Sequence, residues 1–110
     1  MTTTTVNDNT VLRLIRDVAR KVMPAHSRVV LFGSQARGDA RPDSDWDLLL
    51  LLQKKDSWKG AFDSYAFPFV EMGWENGEAI NPVIYTFDEW ALRRNTPFYQ
   101  NVEREGITIQ

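Results

Sequence analysis

Asp45 and Asp47 stand one residue apart at the head of Asp45-Trp46-Asp47-Leu48-Leu49-Leu50-Leu51-Leu52, the most apolar run in the chain. Such a run predicts a buried strand. A strand turns successive side chains to opposite faces, so the two carboxylates point the same way with backbones about 6.5 to 7 Å apart. Trp46 and Leu48 then face the other side. Paired acids on a core strand repel each other and lose hydration unless a cation neutralises them. A divalent ion does that. Hard oxygen ligands, with room left for phosphate oxygens, point to Mg²⁺, with Mn²⁺ as a substitute, held by Asp45 and Asp47.

A second polar feature lies upstream, where Phe32-Gly33-Ser34 closes an apolar run and opens a turn. Glycine lets the backbone come close to a ligand, amides at a helix start donate to phosphate, and the Ser34 hydroxyl adds a donor. The two features together read as a triphosphate seat facing a metal seat. Gly33-x4-Gly38 has the glycine spacing of a P-loop, but Asp39 and Ala40 stand where that motif needs lysine and Ser/Thr, which excludes a Walker-type ATPase.

The elements that must position these residues are legible in outline. Arg28 to Phe32 is β-branched and aromatic and predicts a buried strand; Asp45 to Leu52 predicts the next one. The polar connection between them has room for one short helical turn and a loop. Val11, Leu14, Ile15, Val18 and Val22 recur at helical steps, so Thr10 to Met23 is an amphipathic helix ended at Pro24, after a loose terminus at residues 1–9. Trp58, Phe62, Tyr65 and Phe69 have helical spacing, interrupted by Pro68. Ile80 to Phe87 is a third strand, and Pro82 within it argues for an edge position or a bulge. Asp88 can cap a short helix through Arg94, Thr96-Pro97 has the form of a helix start, and Ile107 to Ile109 adds a last short strand. The expectation is a small α/β domain with a mixed β-sheet of three to five strands, helices packed mainly on one face and the cleft on the other.

Gly33-Ser34, ten residues, then Asp45-Trp46-Asp47 resembles the G-S-x10-D-x-D signature of the DNA polymerase β-like nucleotidyltransferase superfamily. Four fixed residues at roughly one in fifteen to one in twenty each should arise by chance in roughly one such chain in a thousand. The flanking Leu31-Phe32-Gly33-Ser34-Gln35-Ala36-Arg37-Gly38 and Ser44-Asp45-Trp46-Asp47-Leu48-Leu49 are similar to the small stand-alone members, the minimal nucleotidyltransferases. The resemblance implies that Asp45 and Asp47 hold two Mg²⁺ ions for in-line attack of an acceptor hydroxyl on the α-phosphorus of a nucleoside triphosphate. It further implies that Gly33 and Ser34 hold the triphosphate, that Arg37 and Arg41 neutralise β- or γ-phosphate charge, and that AMP moves from ATP onto a protein or small-molecule hydroxyl. Minimal nucleotidyltransferases of this type are commonly paired with a small helical HEPN-type protein, which makes an antitoxin role an implication of the resemblance; a homo-oligomer is the other way to complete an acceptor pocket.

The superfamily usually supplies a third carboxylate from a later strand. Here the corresponding strand reads Glu78-Ala79-Ile80-Asn81-Pro82-Val83-Ile84-Tyr85, whose matching face offers Asn81, Val83 and Tyr85, with Glu78 off that parity unless a bulge at Pro82 corrects it. Two readings follow: a nucleotidyltransferase, or a catalytically weak or inactive nucleotide-binding module that docks to a partner.

Composition narrows the classes further. With 110 residues the chain fits one domain, 1–110, and its 13 basic and 15 acidic side chains give a net charge of −2, against a nonspecific coat for nucleic acid. Zero cysteines remove disulfides and thiolate chemistry together and fit a reducing compartment. No signal peptide or run of roughly 20 apolar residues is seen, so the expectation is a cytoplasmic protein without a membrane anchor.

Overall fold

The computed structural model describes residues 8–110. Its elements in chain order are α1 (Asp8–Val22), β1 (Arg28–Phe32), α2 (Ser34–Arg37), β2 (Trp46–Leu52), α3 (Trp58–Ala61), a π-helical turn (Phe62–Ala66), α4 (Phe67–Glu75), β3 (Ile80–Thr86), α5 (Phe87–Ala91), α6 (Pro97–Glu105) and β4 (Ile107–Thr108). The four strands form one mixed sheet in the order β3-β2-β1-β4, as an α/β architecture requires. The β1–β2 and β1–β4 pairs are antiparallel and β2–β3 is parallel. A parallel neighbour needs a long crossover. The chain from α3 to α4 supplies it.

β2 lies inside the sheet with helices over both faces, which is why its sequence is apolar without alternation. Leu48, Leu50 and Leu52 join Val29 and Leu31 against Val11 and Ile15 of α1 and Phe69 and Met72 of α4. Leu49 and Leu51 face the other way, with Val30, against Trp90 of α5 and Val102 of α6. Each such side chain, fully buried, contributes about 1.5 to 3 kcal/mol before entropy is counted. Helices α1 and α4 share one face, and α5 and α6 cover part of the other.

Several local details depart from the sequence reading. The first helix begins at Asp8, two residues before Thr10; the rest of the expected loose terminus lies outside the described residues. The short helix after β3 is capped by Thr86, not Asp88, in a capping box with Glu89. Pro68 does not break the aromatic segment. It sits in the first turn of α4, and the π-helical turn before it absorbs the missing amide donor. Pro82 lies in β3 at the sheet edge, with the β2–β3 register unbroken through it. Among the described residues no helix is long and apolar enough to cross a membrane.

Candidate functional site

The turn after β1 is built around Gly33, with φ 79° and ψ −160°. That is a backbone region essentially restricted to glycine. Its carbonyl accepts from the amides of Ala36 and Arg37, both at 3.0 Å, which starts α2. Gly38, left-handed at φ 87°, ends it after one turn. Ser34 is the half-buried first residue of α2, and its carbonyl accepts from the Gly38 amide at 3.0 Å. The loop back to β2 is fastened at Ser44, whose Oγ accepts from the Arg41 amide at 2.8 Å and whose carbonyl accepts from Gln35 Nε2 at 3.4 Å. This places Asp45 at the mouth of β2.

Glycine is required at position 33 for a second reason. A Cβ there would overlap Oδ2 of Asp47, so the turn backbone lies directly against that carboxylate. Asp47 pairs with Phe32 on β1 and with Asn81 on β3. Asn81 Nδ2 donates to Asp47 Oδ1 at 3.1 Å. Burial pushes the Asp47 carboxyl above its ordinary value; the Asn81 bond works against that, the like charge of Asp45 adds to it, and Arg37 opposes it. Asp45, Asp47, Asn81 and Arg37 therefore sense one another.

The remaining expected residues divide. Arg37 is held by Asp39, Nε to Oδ2 at 3.2 Å, and by Glu105 of α6, Nη1 to Oε2 at 3.5 Å. Glu105 was not visible as a site residue, being 68 positions away with no motif of its own. Arg41 is exposed on the loop and forms no ion pair among the described residues, so the structure does not bring its side chain to the acids. Glu78 turns to the opposite face, where its Oε1 accepts from Trp46 Nε1 at 3.1 Å. The position beside Asp47 thus belongs to Asn81, without a bulge, and the third carboxylate is not there.

Whether these residues suit a divalent ion can be judged from the donors. Asp45 is exposed and Asp47 half-buried, their charges adjoin, and among the described residues no lysine or arginine forms an ion pair with either. Asn81, donating through its nitrogen, keeps its carbonyl oxygen as a further hard donor. Among the described residues no group of three or more His, Cys, Asp or Glu gathers for a metal. Mg²⁺ in phosphoryl-transfer sites is bound by one or two carboxylates plus substrate phosphates, so the donor set fits such an ion only together with a phosphate ligand.

A mixed sheet with a glycine turn at the end of one strand and two acids at the head of the next defines a nucleotidyltransferase-like site. Residues 12–101 match the nucleotidyltransferase domain family, and the chain belongs to it. No curated protein matches the chain. Among solved structures it resembles a toxin-antitoxin with AMP-PNP, at 19% identity and a TM-score of 0.61, over 96% of this chain and 73% of that one. It resembles a candidate nucleotidyltransferase from Sulfolobus solfataricus at 19% identity and a TM-score of 0.61, over 92% of this chain and 80% of that one. A third is a mutant of the toxin-antitoxin MntA-HpeT, at 16% identity and a TM-score of 0.59, over 96% of this chain and 73% of that one. At these identities the likeness is one of fold.

Proposed function

We propose that the chain binds Mg²⁺·ATP between Gly33-Ser34 and Asp45/Asp47 and transfers AMP to a hydroxyl of a partner protein. The observation that carries this reading is the contact of the Gly33 backbone with the Asp47 carboxylate, because it makes the phosphate turn and the metal acids two walls of one site. Mg²⁺, when bound there, or Mn²⁺ in its place, supplies charge neutralisation at the phosphates and lowers the pKa of an attacking hydroxyl. The chain's own residues do the rest. Gly33 admits the triphosphate close to the main chain, the Ser34 hydroxyl donates to it, and Arg37 offers a guanidinium beside Asp47. Arg41 reaches a phosphate only if its loop side chain moves inward.

The toxin-antitoxin neighbours, one of them with AMP-PNP, support a nucleotide and a protein partner for this fold. In this proposal the partner is a helical HEPN-type toxin, the chain acts as its antitoxin, and both work in the cytoplasm. Asn81 favours a second reading: with an amide where a third carboxylate would receive the hydroxyl proton, the chain holds nucleotide and acts by docking, with little or no turnover.

Incubation with α-labelled ATP, Mg²⁺ and the neighbouring gene product separates the two. Label on the partner with wild type, absent with Asp45→Ala and Asp47→Ala, is expected for the enzyme. ATP binding without any labelled protein is the result of the docking module.

A further inference from the structure

Among the described residues β3 pairs with β2 alone, which leaves its far edge without a strand neighbour. Along that edge runs an open groove of about 320 Å³, floored by Pro82, Val83 and Tyr85 and walled by Trp58, Phe62 and Arg93. Asn81, bonded to Asp47, immediately precedes Pro82. The groove therefore begins beside the acids, and Tyr85 lies about 13 Å along the strand from Asn81.

Displacement at phosphorus is in line, so the attacking oxygen enters opposite the departing pyrophosphate. Gly33 approaches Asp47 from the β1 side and Asn81 from the β3 side. With the triphosphate tail over Gly33 and Ser34, the acceptor hydroxyl arrives over Asn81, from the direction of the groove. We infer that this groove docks the acceptor, and that the acceptor is an extended segment of a partner protein with an acidic residue about four positions from its hydroxyl residue. The inference rests on the nucleotidyl-transfer reading above. In the step itself a lone pair of the acceptor oxygen forms the bond to the α-phosphorus, the bond to the bridging oxygen breaks with its electron pair on pyrophosphate, and the hydroxyl proton leaves to solvent.

The lining favours a polypeptide over a small acceptor. Small ligands are usually enclosed over 70–90% of their surface, whereas Trp58 is 60% exposed and leaves one wall open. Trp58 is stacked on Phe62, ring centroids 5.3 Å apart, a rigid face for an apolar side chain. Charge selects the far end. The Glu89 carboxylate is occupied by Lys55 Nζ, at 2.5 and 2.6 Å, and by the Thr86 amide at 2.9 Å. Arg93 lies over the Tyr85 ring at 4.5 Å and donates to the Glu89 carbonyl at 3.2 Å, but is exposed and has no ion pair among the described residues. An acidic side chain from the segment would complete it.

The test uses short fluorescein-labelled peptides carrying serine, then leucine, then either aspartate or lysine about four residues on, titrated by anisotropy in the presence of Mg²⁺ and ATP. Wild type should bind the aspartate peptide about tenfold more tightly than the lysine one, Arg93→Glu should reverse that order, and Trp58→Ala should weaken both about tenfold. Both variants should bind ATP as wild type does and keep its far-ultraviolet dichroism. Equal affinity for the two peptides, or variants that bind as wild type does, would overturn the inference. A wild type that fails to bind ATP would instead contradict the parent reading, whatever the peptides do.

Discussion

At Gly33 two demands coincide, a φ of 79° and a carboxylate lying where a side chain would begin. Alanine there satisfies neither, so Gly33→Ala should lose about 1 to 3 kcal/mol of stability from backbone strain, read as a lower denaturation midpoint, and should lose ATP binding as Asp47 is displaced. Asp47 gives a prediction of the opposite sign. Burial raises its carboxyl, so the folded chain holds that proton more firmly than the unfolded one. The stability this contributes is complete below the ordinary carboxylate range and is lost as pH rises through the raised value. At about pH 7 the ionised group burdens the metal-free fold. Asp47→Asn should therefore raise the metal-free melting temperature at neutral pH, with the difference shrinking on acidification, while nucleotide binding is abolished. The pairing of Asp45 with Asp47 and the turn at Gly33-Ser34 were readable because strand alternation and glycine freedom act over a few residues. Glu105 was not, because its contact with Arg37 exists only once α6 has packed.

The element that aligns Asn81 is the crossover helix α4. Its Gly73 passes so close to the start of β3 that a Cβ would stand 2.6 Å from Ile80 Cγ1 and 2.7 Å from the Glu78 carbonyl oxygen. Gly73→Ala should push the helix off the strand, costing about 1 to 3 kcal/mol by overpacking, measured by chemical denaturation. Strands were the most legible elements. β1 to β3 carry β-branched or leucine runs, and the edge position of Pro82 was visible because proline lacks the amide an inner strand needs. Helix ends were less so. Both Thr86 and Asp88 can cap, and the choice fell to Thr86 because Glu89 returns a bond to its amide at 2.9 Å. The helical spacing of Phe62 and Tyr65 did not distinguish the π-helical turn before Pro68 from an ordinary α-helical one.

Across the whole molecule, the leucine-rich strand β2 is clamped between two apolar layers while Asp45 and Asp47 stand at the sheet's end, so the apolar run is buried and the charge gathers at the proposed site. A mixed sheet of three to five strands was expected, and the described residues form one of four. The coverage of its second face was not, since Trp90 and Val102 show their packing only in three dimensions. The central claim is that turn and acids form a single metal-nucleotide site. Calorimetric titration of ATP into wild type, Asp45→Ala and Asp47→Ala, with and without Mg²⁺, tests it directly. The account predicts heat for wild type with Mg²⁺ and none for wild type without it or for either variant. ATP binding that ignores magnesium, or that survives loss of either aspartate, would contradict it.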